Sequence, residues 1–101
     1  MSDNDYQVDI SNHAARLVLQ AEYMASLHGV KQRFLKALKQ LVADLSKEAE
    51  TIGSAATGIH VQGSTLLFRS HRVDVLTLNY AVHPAKRIVW IQSCVLNLPM
   101  N

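Results

Sequence analysis

The chain has 101 residues, enough for one domain with a modest core and too few for two. An apolar fraction of 49%, a charged fraction of 18% and a mean hydropathy of +0.04 exclude a disordered polyelectrolyte and a bundle of membrane spans. Ten Lys and Arg against eight Asp and Glu leave a net charge of +2, a mild excess that is compatible with a nucleic-acid partner without requiring one.

After a polar stretch over residues 1–5, read as a tail, Tyr6, Val8 and Ile10 alternate with Gln7 and Asp9, the period of a half-buried strand. Ser11 or Asn12 can cap a helix over residues 12–28, in which Ala14, Leu17, Val18, Ala21, Met24 and Ala25 recur at three- and four-residue spacing. Gly29 stops it. A second apolar stripe, Val30, Phe34, Ala37, Leu38, Leu41 and Leu45, predicts a helix reaching Lys47, and two helices in a row suggest an antiparallel hairpin. Lys31, Arg33, Lys36, Lys39 and Gln40 read as its solvated face.

Residues 48–58, rich in Gly, Ser, Ala and Thr, read as a loop, with a short strand over 59–61 and a turn at Gly63 and Ser64. Residues 65–71 read as a strand with Leu66 and Phe68 inward and Leu67, Arg69 and His71 on the opposite side. Leu76, Leu78, Tyr80 and Val82 give the clearest alternation in the chain. Pro84 turns it between His83 and Lys86, and residues 87–95 form a β-branched strand apolar enough to be central and covered on both faces. Residues 96–101 read as a second tail. The expectation is one α+β domain over residues 1–101: a strand, a two-helix hairpin and an antiparallel three-strand meander, with the helices on one sheet face. If the first strand joins the sheet, its partner is the last strand, in parallel.

Candidate chemistry is sparse. Arg69 and His71 share a face of an extended segment while Arg72 points away, so a cationic pair on an exposed face could hold a phosphate or carboxylate. The plainer reading is a solubilised outer face whose charges pair with Asp74 or Glu22. His83 beside Lys86 and Arg87 could act as a base or acid at a turn, although a turn-tip histidine is more often polar punctuation. His13, His28, His60, His71 and His83 have no metal-ligand spacing, Cys94 reads as an inert thiol in an apolar strand, and no glycine pattern cradles a phosphate; no metal or cofactor is expected. Phe68, Tyr80 and Trp90 could stack bases if exposed, but their strand positions read as packing. The acidic N-terminus lacks the basic flank and apolar core of a signal peptide, and the single cysteine needs no oxidising compartment, so the expected location is cytoplasmic, with no membrane partner.

The order of these elements, with Tyr6–Ser11, Ala14, Ala15 and Leu17, Tyr23–Ala25, Phe34–Leu38, Leu41–Leu45, His60–Gly63, Leu78–Val82 and Ile88–Ile91, resembles the RelE/ParE superfamily of toxins from bacterial toxin–antitoxin and plasmid-stabilisation systems, over about nine tenths of the chain. The resemblance implies a toxin kept inactive by a cognate antitoxin whose extended or helical segment wraps the helices and the sheet edge. Ribosome-dependent ribonucleases of that family carry basic residues on the meander and an Arg, His or Tyr near the chain end. Here the corresponding strand opens Leu76, Thr77, and residues 93–101 contain no Arg, His, Lys or Tyr. The resemblance therefore favours a gyrase-inhibitor-like member that acts by binding, through Arg69, His71, Arg72, Lys86 and Arg87. The alternatives are a ribonuclease acting on mRNA at the ribosome with Arg69, Arg72 and His83 (or Lys86) as catalytic groups, and a non-toxic α+β module, dimeric through an apolar interface, that binds a protein or small ligand.

Overall fold

A computed structural model of the chain describes residues 5–61 and 64–98. Its elements run β1 (Gln7–Ile10), α1 (Asn12–Leu27), α2 (Lys31–Glu48), β2 (Ser54–Val61), β3 (Ser64–Val73), β4 (Leu76–His83) and β5 (Ile88–Leu96). The five strands form one sheet in the order β1-β5-β4-β3-β2. β1 runs parallel to β5, and β2 to β5 form an antiparallel meander. The fold is α+β, as expected, but the meander has four strands where three were expected, because the short strand anticipated over 59–61 is the end of a longer β2 that pairs with β3. Residues 48–58 are not all loop: α2 ends at Glu48 and β2 begins at Ser54, because pairing to β3 supplies the backbone partners that their small side chains do not demand by themselves. The turn expected at Gly63 and Ser64 lies in part outside the described residues.

Local chemistry explains the helix ends. The Ser11 hydroxyl accepts the Ala14 N–H at 3.0 Å and caps α1, leaving Asn12 as the first helical residue. Gly29, at φ +72°, lets the chain leave α1, and the Val30 N–H returns to the Ala25 carbonyl. In α2, Phe34, Ala37, Leu41 and Leu45 are buried, matching the expected stripe. In α1 the buried positions are the alanines Ala14, Ala21 and Ala25, with Leu17 and Val18 only half-buried and Met24 exposed. Small side chains let α1 lie close on the sheet. Among the described residues no helix is long and apolar enough to cross a membrane.

The core forms between the helices and one face of the sheet, from Leu76, Leu78, Tyr80, Val82, Val89 and Ile91 under Phe34, Leu41 and Leu45. Cross-strand pairing extends this face to β3: Leu67 pairs with Val82, Arg69 with Tyr80, His71 with Leu78 and Val73 with Leu76. The expected inward positions of β3 are thus reversed. Leu67, Arg69, His71 and Val73 look toward the helices, and Phe68, Ser70 and Arg72 lie on the other face. β5 is central, but only one of its faces is covered, since Val89 and Ile91 are buried while Ile88 and Trp90 are half-exposed. An extra residue, Gln92, sits between the pairs Tyr80–Ile91 and Asn79–Ser93 and resets the alternation, so Cys94 and Leu96 turn back toward α1. The C-terminal tail starts later than expected: Leu96 is still in β5, the Asn97 N–H reaches the Val75 carbonyl, and Leu98 packs against the core.

Candidate functional site

The helix-free face of the sheet is organised in rows set by strand register. In one row Phe68 pairs with Ala81, Ala81 with Trp90, and Trp90 with Asp9 of the edge strand β1. Ala81 is only 2% exposed although it lies outside the main core, and its cross-strand partners on either side are Phe68 and Trp90. The next row is polar: Ser70 pairs with Asn79 and Asn79 with Ser93, and the Asn79 amide donates to the Ser93 hydroxyl at 2.9 Å. The bulge at Gln92 is what brings Ser93 onto this face. Beyond it, Arg72, Thr77 and Val95 form a third row, with the Thr77 hydroxyl donating to the Asn97 side chain at 2.7 Å. On the opposite side, His83 pairs with Ile88 and Ile88 with Gln7, whose amide donates to the Asp9 carboxylate.

His83 is buried at the end of β4. Its Nδ1 accepts the Lys86 N–H at 3.1 Å, which places the proton of the neutral ring on Nε2, and the ring meets Trp90 edge-on at 6.4 Å. The imidazole closes the turn and buttresses the indole. Lys86 is exposed at that turn, whereas Arg87, at φ +53°, lays its guanidinium 4.1 Å from the centre of the Tyr6 ring.

The remaining cations face elsewhere. Arg69 looks toward the helices, where Nε donates to the Ile52 carbonyl at 3.0 Å and Nη2 to the Gly53 carbonyl at 3.2 Å; the Tyr80 hydroxyl donates to the same Ile52 carbonyl at 3.0 Å. His71 lies 3.3 Å from Asp44 of α2. Arg72 donates to the Asp74 main-chain carbonyl at 2.9 Å, not to its carboxylate, which pairs with Arg33 at 2.6 Å; Glu22 pairs with neither Arg69 nor Arg72. The Arg33 guanidinium holds the Asp74 carboxyl below the usual carboxylate range.

Arg69 and His71 therefore share a face, as the alternation implied, but it is the helix-covered one. Arg72 and His83 share the open face but not one end of it: Arg72 of β3 pairs with Thr77, which is six residues and so about 20 Å along β4 from His83. Arg69, Arg72 and His83 do not converge. Among the described residues no three His, Cys, Asp or Glu side chains come together in a way that would hold a metal ion. Cys94 is half-buried beneath α1, and burial pushes its thiol up, away from the reactive thiolate. The pairing of Asn79 with Ser93 and the Ile52–Gly53 carbonyl hub had no motif to announce them, since each depends on register between distant segments.

One cluster outside this face gives a pH prediction. Tyr6 is buried between the start of β1 and the end of α2, and donates its hydroxyl to Glu50. Burial, then the bond to the Glu50 carboxylate and its charge, push the phenol up to about 12, with Arg87 pulling the other way. The folded state then keeps a proton that the unfolded chain releases near its ordinary value of about 10, so this contribution to stability is complete below that pH and falls through the interval up to about 12. Alkaline denaturation of Tyr6→Phe should be flatter over that interval, and an unchanged profile would exclude Tyr6 as the titrating group. No model of a known protein family matches the chain, and no curated protein matches it.

Proposed function

We propose that the chain is a RelE/ParE-like toxin that acts by binding a protein target, in the manner of the gyrase-directed members, through the open sheet face, and that an antitoxin neutralises it by wrapping the helices and the sheet edge. The observation that supports binding over cleavage is the dispersal of its cations. Attack by a ribose 2′-hydroxyl needs a base, an acid and a concentration of positive charge at one phosphate. Arg69 is held by two carbonyls on the far face, Arg72 is about 20 Å from His83, and the His83 Nδ1 is engaged by its own turn.

The open face offers instead the groups that dominate protein recognition. Trp90 and Phe68 form an aromatic centre, Asn79 and Ser93 a hydrogen-bonding row, and Arg72 an exposed cation, while Asp9 beside Trp90 disfavours a phosphate backbone. The order of elements, a strand, two helices and an antiparallel meander, supports the reading, since the resemblance implies that order.

Induced expression in a bacterial host tests the reading. Growth should stop with mRNA intact, and Trp90→Ala and Arg72→Glu should each relieve the arrest while the purified variants stay folded by circular dichroism. Harmless overproduction would refute toxicity. Cuts in mRNA at codon spacing would favour the ribonuclease alternative.

A further inference from the structure

We infer that the cleft between α2 and the β3–β4 turn is a binding site for a small phosphate monoester. The cleft has a volume of about 390 Å³ and lies on the side of the sheet that the helices cover, opposite the face of Trp90 and Phe68. One wall is a single face of α2, where Arg33, Lys36, Ala37 and Gln40 recur at three- and four-residue spacing. The other is Val73 and Asp74, where β3 turns into β4. Ala37 is buried and Val73 half-buried, whereas the polar side chains are exposed, so the floor is apolar and the rim charged. A small organic anion fits such a lining.

The bonds already made leave a defined set of groups for a ligand. Arg33 donates Nε and Nη2 to the Asp74 carboxylate, at 2.9 and 2.6 Å, and keeps Nη1. Lys36 makes no ion pair among the described residues, yet its charge, like that of Arg72 behind the turn, helps to hold the Asp74 carboxyl down. Gln40 directs its Nε2 to Asp44 at 2.8 Å, so its carbonyl oxygen remains to accept an O–H or N–H of the ligand.

Charge selects a dianion. Arg33, Lys36 and Arg72 around the one Asp74 carboxylate leave +2 at this corner, while the seven Lys and Arg and seven Asp and Glu elsewhere in the chain cancel. A phosphate monoester, whose second proton leaves near pH 6, carries about −2 at neutral pH and matches that excess, whereas a carboxylate or a phosphodiester carries half as much. One turn beyond Gln40 the same face of α2 presents Asp44, which interrupts the positive strip and disfavours a run of backbone phosphates. The Asp74 carboxylate holds the Arg33 fork at the cleft and competes with the ligand for it.

The inference does not rest on the proposed function, and purified protein tests it without any target. Backbone amide shifts are followed in NMR titrations with ribose 5-phosphate, inorganic phosphate, ribose and dimethyl phosphate at neutral pH. Ribose 5-phosphate should move the amides of residues 33–40 and 73–74 saturably, with a dissociation constant of about 1 mM or below. Inorganic phosphate should bind the same residues severalfold more weakly, because it lacks the sugar hydroxyls that Gln40 would accept. Ribose and dimethyl phosphate, each without the dianion, should bind at least about tenfold more weakly. Lys36→Gln should weaken ribose 5-phosphate about tenfold. Asp74→Asn should tighten it about fivefold, since it frees the Arg33 fork and removes the competing charge, and asparagine suits the left-handed backbone at φ +51°. Both positions are exposed, so both variants should remain folded by circular dichroism. No saturation by about 50 mM ribose 5-phosphate, shifts that map elsewhere, equal affinity for dimethyl phosphate, or an Asp74→Asn variant that binds no more tightly would each overturn the inference. So would a short single-stranded RNA that displaces ribose 5-phosphate from these amides at lower concentration, which would assign the cleft to a nucleic-acid backbone.

Discussion

Replacing Gly53 with alanine is expected to destabilise the protein by about 3 kcal/mol, against about 1 kcal/mol for the same change at Gly29. Both glycines hold left-handed backbone, at φ +73° and +72°. A Cβ at Gly29 meets nothing within 4 Å, whereas one at Gly53 would fall against the Ser70 carbonyl oxygen and within 2.9 Å of the His71 Cβ. Those atoms belong to β3, which is paired on both sides and cannot move away cheaply. If residues 52 and 53 shift instead, the carbonyls they present to Arg69 and Tyr80 shift with them. Urea unfolding of the two variants in parallel separates the backbone cost they share from the contact cost that only Gly53 carries. Equal losses would show that β2 has room to relax.

Much of the fold is legible in the sequence because its strongest patterns are those that packing also rewards. Leu76, Leu78, Tyr80 and Val82 alternate without interruption, and all four are buried under the helices. The parallel return of β1 to β5 follows from a strand preceding a helical excursion. The phase of β3 does not follow in this way. Leu66, Leu67 and Phe68 are three consecutive apolar residues that satisfy either alternation, and register with β4 decides the matter by placing Arg69 opposite Tyr80. A clue was available in Val73, which is in phase with Leu67 and not with Phe68. Ser54 to Gly58 could not be read as strand because its residues have little intrinsic preference for one, so the first half of β2, ahead of the strand expected over 59–61, exists through its neighbour. The same limit applies to the candidate site. Trp90 and Phe68 stand out as aromatics in any reading, but the face they share with Asn79 and Ser93 depends on the phase of β3 and on the bulge at Gln92, which local sequence does not announce.

The two arginines on β3 should separate in their consequences for stability and for binding. Arg69→Ala is expected to cost about 2–3 kcal/mol, because a charged donor spanning the Ile52 and Gly53 carbonyls is lost, leaving the Gly53 oxygen without that donor and Ile52 with Tyr80 as its remaining side-chain donor. Tyr80→Phe should cost about 1 kcal/mol by removing the neutral donor, and the two losses should not add, since both act on one acceptor. Amide exchange should accelerate in the adjoining segment of β2 ahead of β4, as the hub anchors the entry to that edge strand. Arg72→Ala, an exposed side chain that reaches only the carbonyl two residues on, should change stability by less than about 0.5 kcal/mol. Its effect should appear instead in the growth assay, where it removes an exposed cation of the open face. The opposite pattern, with Arg69→Ala stable but harmless and Arg72→Ala fully toxic, would move the target surface to the helix side and return Arg69 to a role in recognition.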